Sequence, residues 1–162
     1  MPELELVRTP EDRRRYALEG IGTLRLEGLL GRSASAQAGE RSWIIARRGV
    51  FTSAIAATDA AGTEVGEFTG RTLRRGGTLR WGDRTLALQP DSMWKERYAL
   101  VDGDLRLATI EGHSWGKRPV RFGVDDLAAV EPGLLLFAAF VVRALAEDAQ
   151  SSAGGGSYGA VG

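Results

Sequence analysis

Short apolar runs, four to nine residues long and broken by glycine, recur through most of the chain. In Thr23–Leu29, Leu24 and Leu26 alternate with Arg25 and Glu27. That period of two is the sign of a strand with one face buried. Comparable segments are Arg15–Glu19, Trp43–Arg47, Val50–Thr58, Glu64–Thr69, Thr78–Trp81, Arg84–Gln89, Trp94–Val101, Leu105–Ile110 and Val120–Val124. The connectors carry turn chemistry. Asp102-Gly103 and Gly82-Asp83 separate alternating runs, and Arg48-Gly49, Ala61-Gly62 and Gly76-Gly77 mark further turns. Ten or more short strands joined this way predict an antiparallel sandwich or barrel, not alternating βαβ units. The stretches after Trp43 and Trp94 echo each other faintly, as two similar hairpin groups.

The pattern changes at Pro132. Gly133–Val142 reads GLLLFAAFVV, without one polar side chain, and RALAEDAQ continues it. Glu131 and Pro132 suit the first turn of a helix, predicted over 133–149. A helix apolar on every face is enclosed by protein or lies in lipid. A span needs roughly 20 apolar residues, and Arg143 interrupts this run, so burial is the expectation and insertion of 133–142 into a membrane the alternative. A flat sheet would leave one face of the helix wet. A closed antiparallel barrel of about 10–12 strands enclosing the helix leaves none. Residues 1–150 then form one domain, and the Gly/Ser-rich tail 151–162 is expected to be disordered.

Composition narrows the chemistry. The 162 residues hold no Cys and one His. That excludes disulfides, thiol nucleophiles, thiolate metal sites and any site needing two imidazoles. Lys+Arg and Asp+Glu are both 21, so bulk charge gives no hold on double-stranded nucleic acid. Arginine outnumbers lysine 19 to 2, a bias that a GC-rich bacterial genome also produces. The first residues, MPELELVRTPEDRRRY, carry early acids and no apolar stretch, which predicts a cytoplasmic protein, at most peripheral at a membrane.

No phosphate-binding loop, dinucleotide fingerprint, nucleophile elbow or zinc-protease motif occurs, and no cofactor or metal is predicted. His113 lies two residues from Glu111, a spacing that shares a strand face. An enzyme built on that pair is a minor alternative. Asp102, Asp104, Asp125 and Asp126 read as turn or cap residues rather than cation ligands. The strongest binding candidate is an Arg-rich hairpin holding Arg71, Arg74, Arg75, Arg80 and Arg84 around Trp81. Arginine beside an aromatic suits an anionic headgroup or phosphorylated ligand. The competing reading is a solvated hairpin paired with neighbouring acids. Trp43, Trp94 and Trp115 are expected in the barrel wall.

Four segments, Trp43–Thr69, Gly77–Leu88 (GTLRWGDRTLAL), Trp94–Thr109 (WKERYALVDGDLRLAT) and Gly133–Leu145, set in this order of hairpins before an apolar helix, resemble the tubby-like C-terminal fold, in particular the LURP-one-related proteins. The resemblance implies a closed barrel around its own last helix. It also implies relatives that bind phosphoinositides or act as phospholipid scramblases. The absence of Cys departs from the acylated scramblases, and no phosphoinositide-binding residue maps onto a position here. The function expected is a non-catalytic binding domain whose outer surface takes a protein partner or an anionic phospholipid.

Overall fold

A computed structural model describes residues 3–28, 31–49, 54–70, 75–92, 95–113 and 116–161, and side chains as far as Gln150. Twelve strands form one closed barrel in which every strand pairs antiparallel with its sequence neighbours. They are β1 (Glu3–Arg8), β2 (Arg15–Leu18), β3 (Gly22–Glu27), β4 (Ser33–Ala38), β5 (Arg41–Arg48), β6 (Ala54–Asp59), β7 (Glu64–Gly70), β8 (Gly77–Trp81), β9 (Arg84–Pro90), β10 (Arg97–Asp102), β11 (Leu105–Gly112) and β12 (Val120–Val124). β1 closes the ring against β12, with Leu4 opposite Phe122 and Leu6 opposite Val120. Closure leaves no unpaired edge.

The alternation read from sequence sets the inner face. Leu24 and Leu26 of β3, Trp43 and Ile45 of β5, Leu79 and Trp81 of β8, and Tyr98 and Leu100 of β10 are all buried. Small residues face large ones across the ladder: Ala36 opposes Trp43 and Gly66 opposes Trp81. A Cβ on Gly66 would lie 2.6 Å from the Trp81 ring, so the indole lies flat over bare backbone.

Three hairpins have the same two-residue loop, Gly39-Glu40, Gly82-Asp83 and Gly103-Asp104. Each glycine has φ near +60° and the acid after it does not, the signature of a type II′ turn with glycine in its first central position. The Asp102-Gly103 signal is therefore displaced by one residue. Asp102 ends β10 opposite Leu105.

After β12 the chain makes one 3-10 turn, Leu127–Ala129, capped by the Asp126 carboxylate, which accepts from the Ala128 N–H at 3.1 Å. It then enters α1 (Pro132–Val161). Every residue from Leu134 to Val142 is at most 2 % exposed. Gly22 of β3 comes against Leu136, and Gly112, across the ring on β11, against Val142. The helix runs down the interior and is the core. Burying each of its Leu or Phe side chains contributes roughly 1.5–3 kcal/mol. Among the described residues, no helix is long and apolar enough to cross a membrane. The sequence predicted a helix over 133–149, and the helical backbone runs on to Val161 through a Gly-rich stretch. The enclosed part is far shorter. Burial relaxes at Arg143, and Ala146 is the last buried residue.

Candidate functional site: the two ends of the barrel

With the lumen filled by α1, a partner has the outer wall and the two ends. Strict meander topology makes the ends unlike. At one end lie the β2–β3, β4–β5, β6–β7, β8–β9 and β10–β11 hairpins and the entry of α1. At the other lie the β1–β2, β3–β4, β5–β6, β7–β8, β9–β10 and β11–β12 connections, each five to seven residues long, and the exit of α1.

Charge follows this division. The entry-end connections contain Glu19, Glu40, Asp83, Asp104, Asp125, Asp126 and Glu131, and no Lys or Arg. Among the described residues, the exit-end connections contain Arg13, Arg14, Arg32, Arg75, Lys95, Lys117 and Arg118 against Glu11, Asp12, Asp91 and Glu96. A zero net charge thus conceals two oppositely charged poles. A six-residue strand spans about 20 Å. That exceeds the Debye length of about 8 Å at physiological ionic strength, so the poles act independently. Part of the arrangement serves the fold, because acids near the start of α1 complement the positive end of the helix dipole.

The Arg-rich candidate hairpin is split between the ends. β8 separates Arg75 at the exit end from Arg80, Trp81 and Arg84 at the entry end. Arg71 and Arg74 lie outside the described residues. Arg75 donates to the Lys95 carbonyl at 3.1 Å, to the Glu96 carboxylate at 3.1 Å and to the Ser92 carbonyl, stapling the β9–β10 connection. Glu96 also accepts from the Tyr98 hydroxyl inside the barrel. Burial, then this carboxylate, pushes that hydroxyl's pKa far up. Arg84 donates to the Ala129 carbonyl at 3.1 Å and to Asp102 at 3.2 Å, holding the 3-10 turn over the entry end.

Trp81 is only 4 % exposed. Its indole N–H donates to Glu131 at 2.8 Å and its ring lies 5.6 Å from that of Phe137. It belongs to the lumen because strand parity turns it inward with Leu79, which corrects its expected place on an exposed hairpin. Arg80 faces outward on β8, opposite Glu67.

Trp43 sits in the wall as expected, while Trp94 and Trp115 lie outside the described residues. His113 is exposed at the exit end, its backbone N–H donating to the Pro119 carbonyl at 2.7 Å. Glu111 lies in an outer ladder between Arg97 and Arg121. No described group assembles these two into a catalytic pair. Among the described residues, no cluster of three or more His, Asp or Glu is placed to hold a metal ion.

At the exit end several cations are free to act outward. Arg13, Lys95 and Lys117 are exposed, and none has an ion pair among the described residues. Where α1 leaves the barrel, Arg47 reaches Asp148 at 2.7 Å and the Ala144 carbonyl at 3.3 Å, and Arg143 pairs with Glu147 one turn on. Burial raises the Glu147 carboxyl pKa despite the two nearby arginines. The sequence reading missed this polarity because it appears only when alternate connections are summed by end. No protein family model, curated protein or solved structure matches the chain.

Proposed function

We propose that this protein is a non-catalytic binding domain whose basic, long-loop end docks onto phosphate-bearing anions, either phospholipid headgroups or a soluble phosphorylated ligand. The observation that carries this reading is the concentration of exposed connection cations, Arg13, Lys95 and Lys117 among them, at the end opposite the acidic hairpin turns. Such a pole orients the molecule toward an anionic surface before contact and raises the encounter rate. The self-filled lumen supports a surface-binding role, since a barrel occupied by its own helix has no room for an interior ligand. The twelve-strand barrel around a carboxyl-terminal helix also supports the tubby-like reading.

The test is sedimentation of the full chain with phosphatidylcholine vesicles, with and without phosphatidylglycerol, plus titration with soluble polyphosphate. A cation at an anionic surface contributes about 1 kcal/mol. The triple variant Arg13→Glu/Lys95→Glu/Lys117→Glu should therefore bind at least about 100-fold more weakly, while Asp83→Asn/Asp104→Asn at the other end should not. Binding to anionic vesicles alone identifies a surface. Binding to polyphosphate alone identifies a soluble ligand. Binding to neither, or indifference to the triple reversal, overturns the proposal.

A further inference from the structure

The entry end holds a cleft of about 100 Å³ lined by Ala38, Arg41, Trp43, Trp81, Glu131, Pro132 and Gly133. Its walls have a definite chemistry. The Trp43 and Trp81 rings are 5.8 Å apart and tilted by 58°. The Trp81 N–H holds the Glu131 carboxylate at 2.8 Å, beside the rings. Gly133 is drawn so close that a Cβ there would lie 2.6 Å from one indole and 2.7 Å from the other, which keeps the floor of the cleft bare. The Trp43 ring face, with the edge of Trp81 and the Glu131 carboxylate alongside, attracts a cation through the ring quadrupole and through direct charge.

A second observation points the same way. The Arg41 guanidinium sits over the Trp43 ring, 5.3 Å from its centroid. It forms no ion pair among the described residues, and it rests on the ring face. The chain thus seats one of its own cations on this wall. The two-residue turns around it contribute Glu40, Asp83 and Asp104, which favour cations at the mouth.

We propose that the cleft between Trp43, Trp81 and Glu131 is a binding site for a small organic cation of the methylated-ammonium class, with Arg41 as the internal cation that such a ligand displaces. The volume is several waters' worth, enough for a compact onium head and too little for a folded partner. This site lies at the pole opposite the phosphate-docking face and stands independently of it.

Titration of the full chain with tetramethylammonium and with choline, followed through the indole N–H resonances, tests the proposal. Saturable shifts of the Trp81 and Trp43 signals are expected with both cations. The neutral isostere of choline, 3,3-dimethyl-1-butanol, should give none. Arg41→Gln uncovers the ring face and should tighten binding by roughly threefold or more. Glu131→Gln should weaken it by a similar factor, and its spectrum shows separately that the barrel remains folded. The absence of saturation in both wild type and Arg41→Gln overturns the proposal. So does an equal response to the neutral isostere.

Discussion

Gly133 shows how one residue fixes geometry at the helix entry. In a solvent-facing helix, replacing glycine by alanine gains about 1 kcal/mol. Here the added methyl would strike Trp43 and Trp81 at 2.6–2.7 Å. The Trp81 ring cannot yield, because its N–H is held by Glu131 and its face lies on Phe137. Gly133→Ala should therefore lose roughly 1–3 kcal/mol, read as a lower urea midpoint at unchanged slope. Glu147 at the other end makes a pH-dependent contribution. Burial raises its folded pKa above the ordinary value of 4.5, with Arg143 and Arg47 opposing. The protonated form is thus favoured by folding, and the contribution is present at acid pH and lost as pH rises through the raised value. The stability of wild type relative to Glu147→Gln should fall over that interval, by urea melts at successive pH values. Asp12 behaves in the opposite sense. The Arg14 backbone N–H and the Arg25 guanidinium lower its pKa, so its contribution is present at neutral pH and lost as pH falls through the lowered value.

Among the elements, β4 explains why the helix fits. Its inner face offers only Ala34 and Ala36, both buried, where each other strand offers at least one larger apolar side chain. That leaves space for α1 and for the Trp43 ring opposite Ala36. Ala36→Leu should overfill the lumen and lose about 1–3 kcal/mol by thermal or urea melting, although leucine is the more apolar residue. The same feature hid β4 from sequence: SASAQA alternates in size too weakly to register as amphipathic. β1 carries a clear alternation of Leu4 and Leu6 with Glu3 and Glu5, but a segment at the chain start is read first for an apolar targeting stretch, which hides its period of two. The other ten strands, the enclosed helix and the Asp126 cap were legible because each rests on local periodicity or on a side chain bonding its own backbone. Strand parity decided the place of Trp81, and the topology of alternate connections set the charged poles. Clusters of arginine in sequence report neither.

At the scale of the whole molecule, a barrel closed upon its own helix excludes solvent from the lumen and leaves chemistry to its two poles. Both proposed activities require that division. If the helix left the lumen readily, apolar side chains of every strand would open to water, and an interior ligand or a bilayer would become the natural partner. The most direct measurement is amide hydrogen exchange across Leu134–Val142 in a series of sub-denaturing urea concentrations. The account predicts that these amides exchange only through global unfolding, with the free energy and urea dependence of the equilibrium melt. Exchange of this segment at lower free energy than the β-strands, with a weak urea dependence, would contradict it.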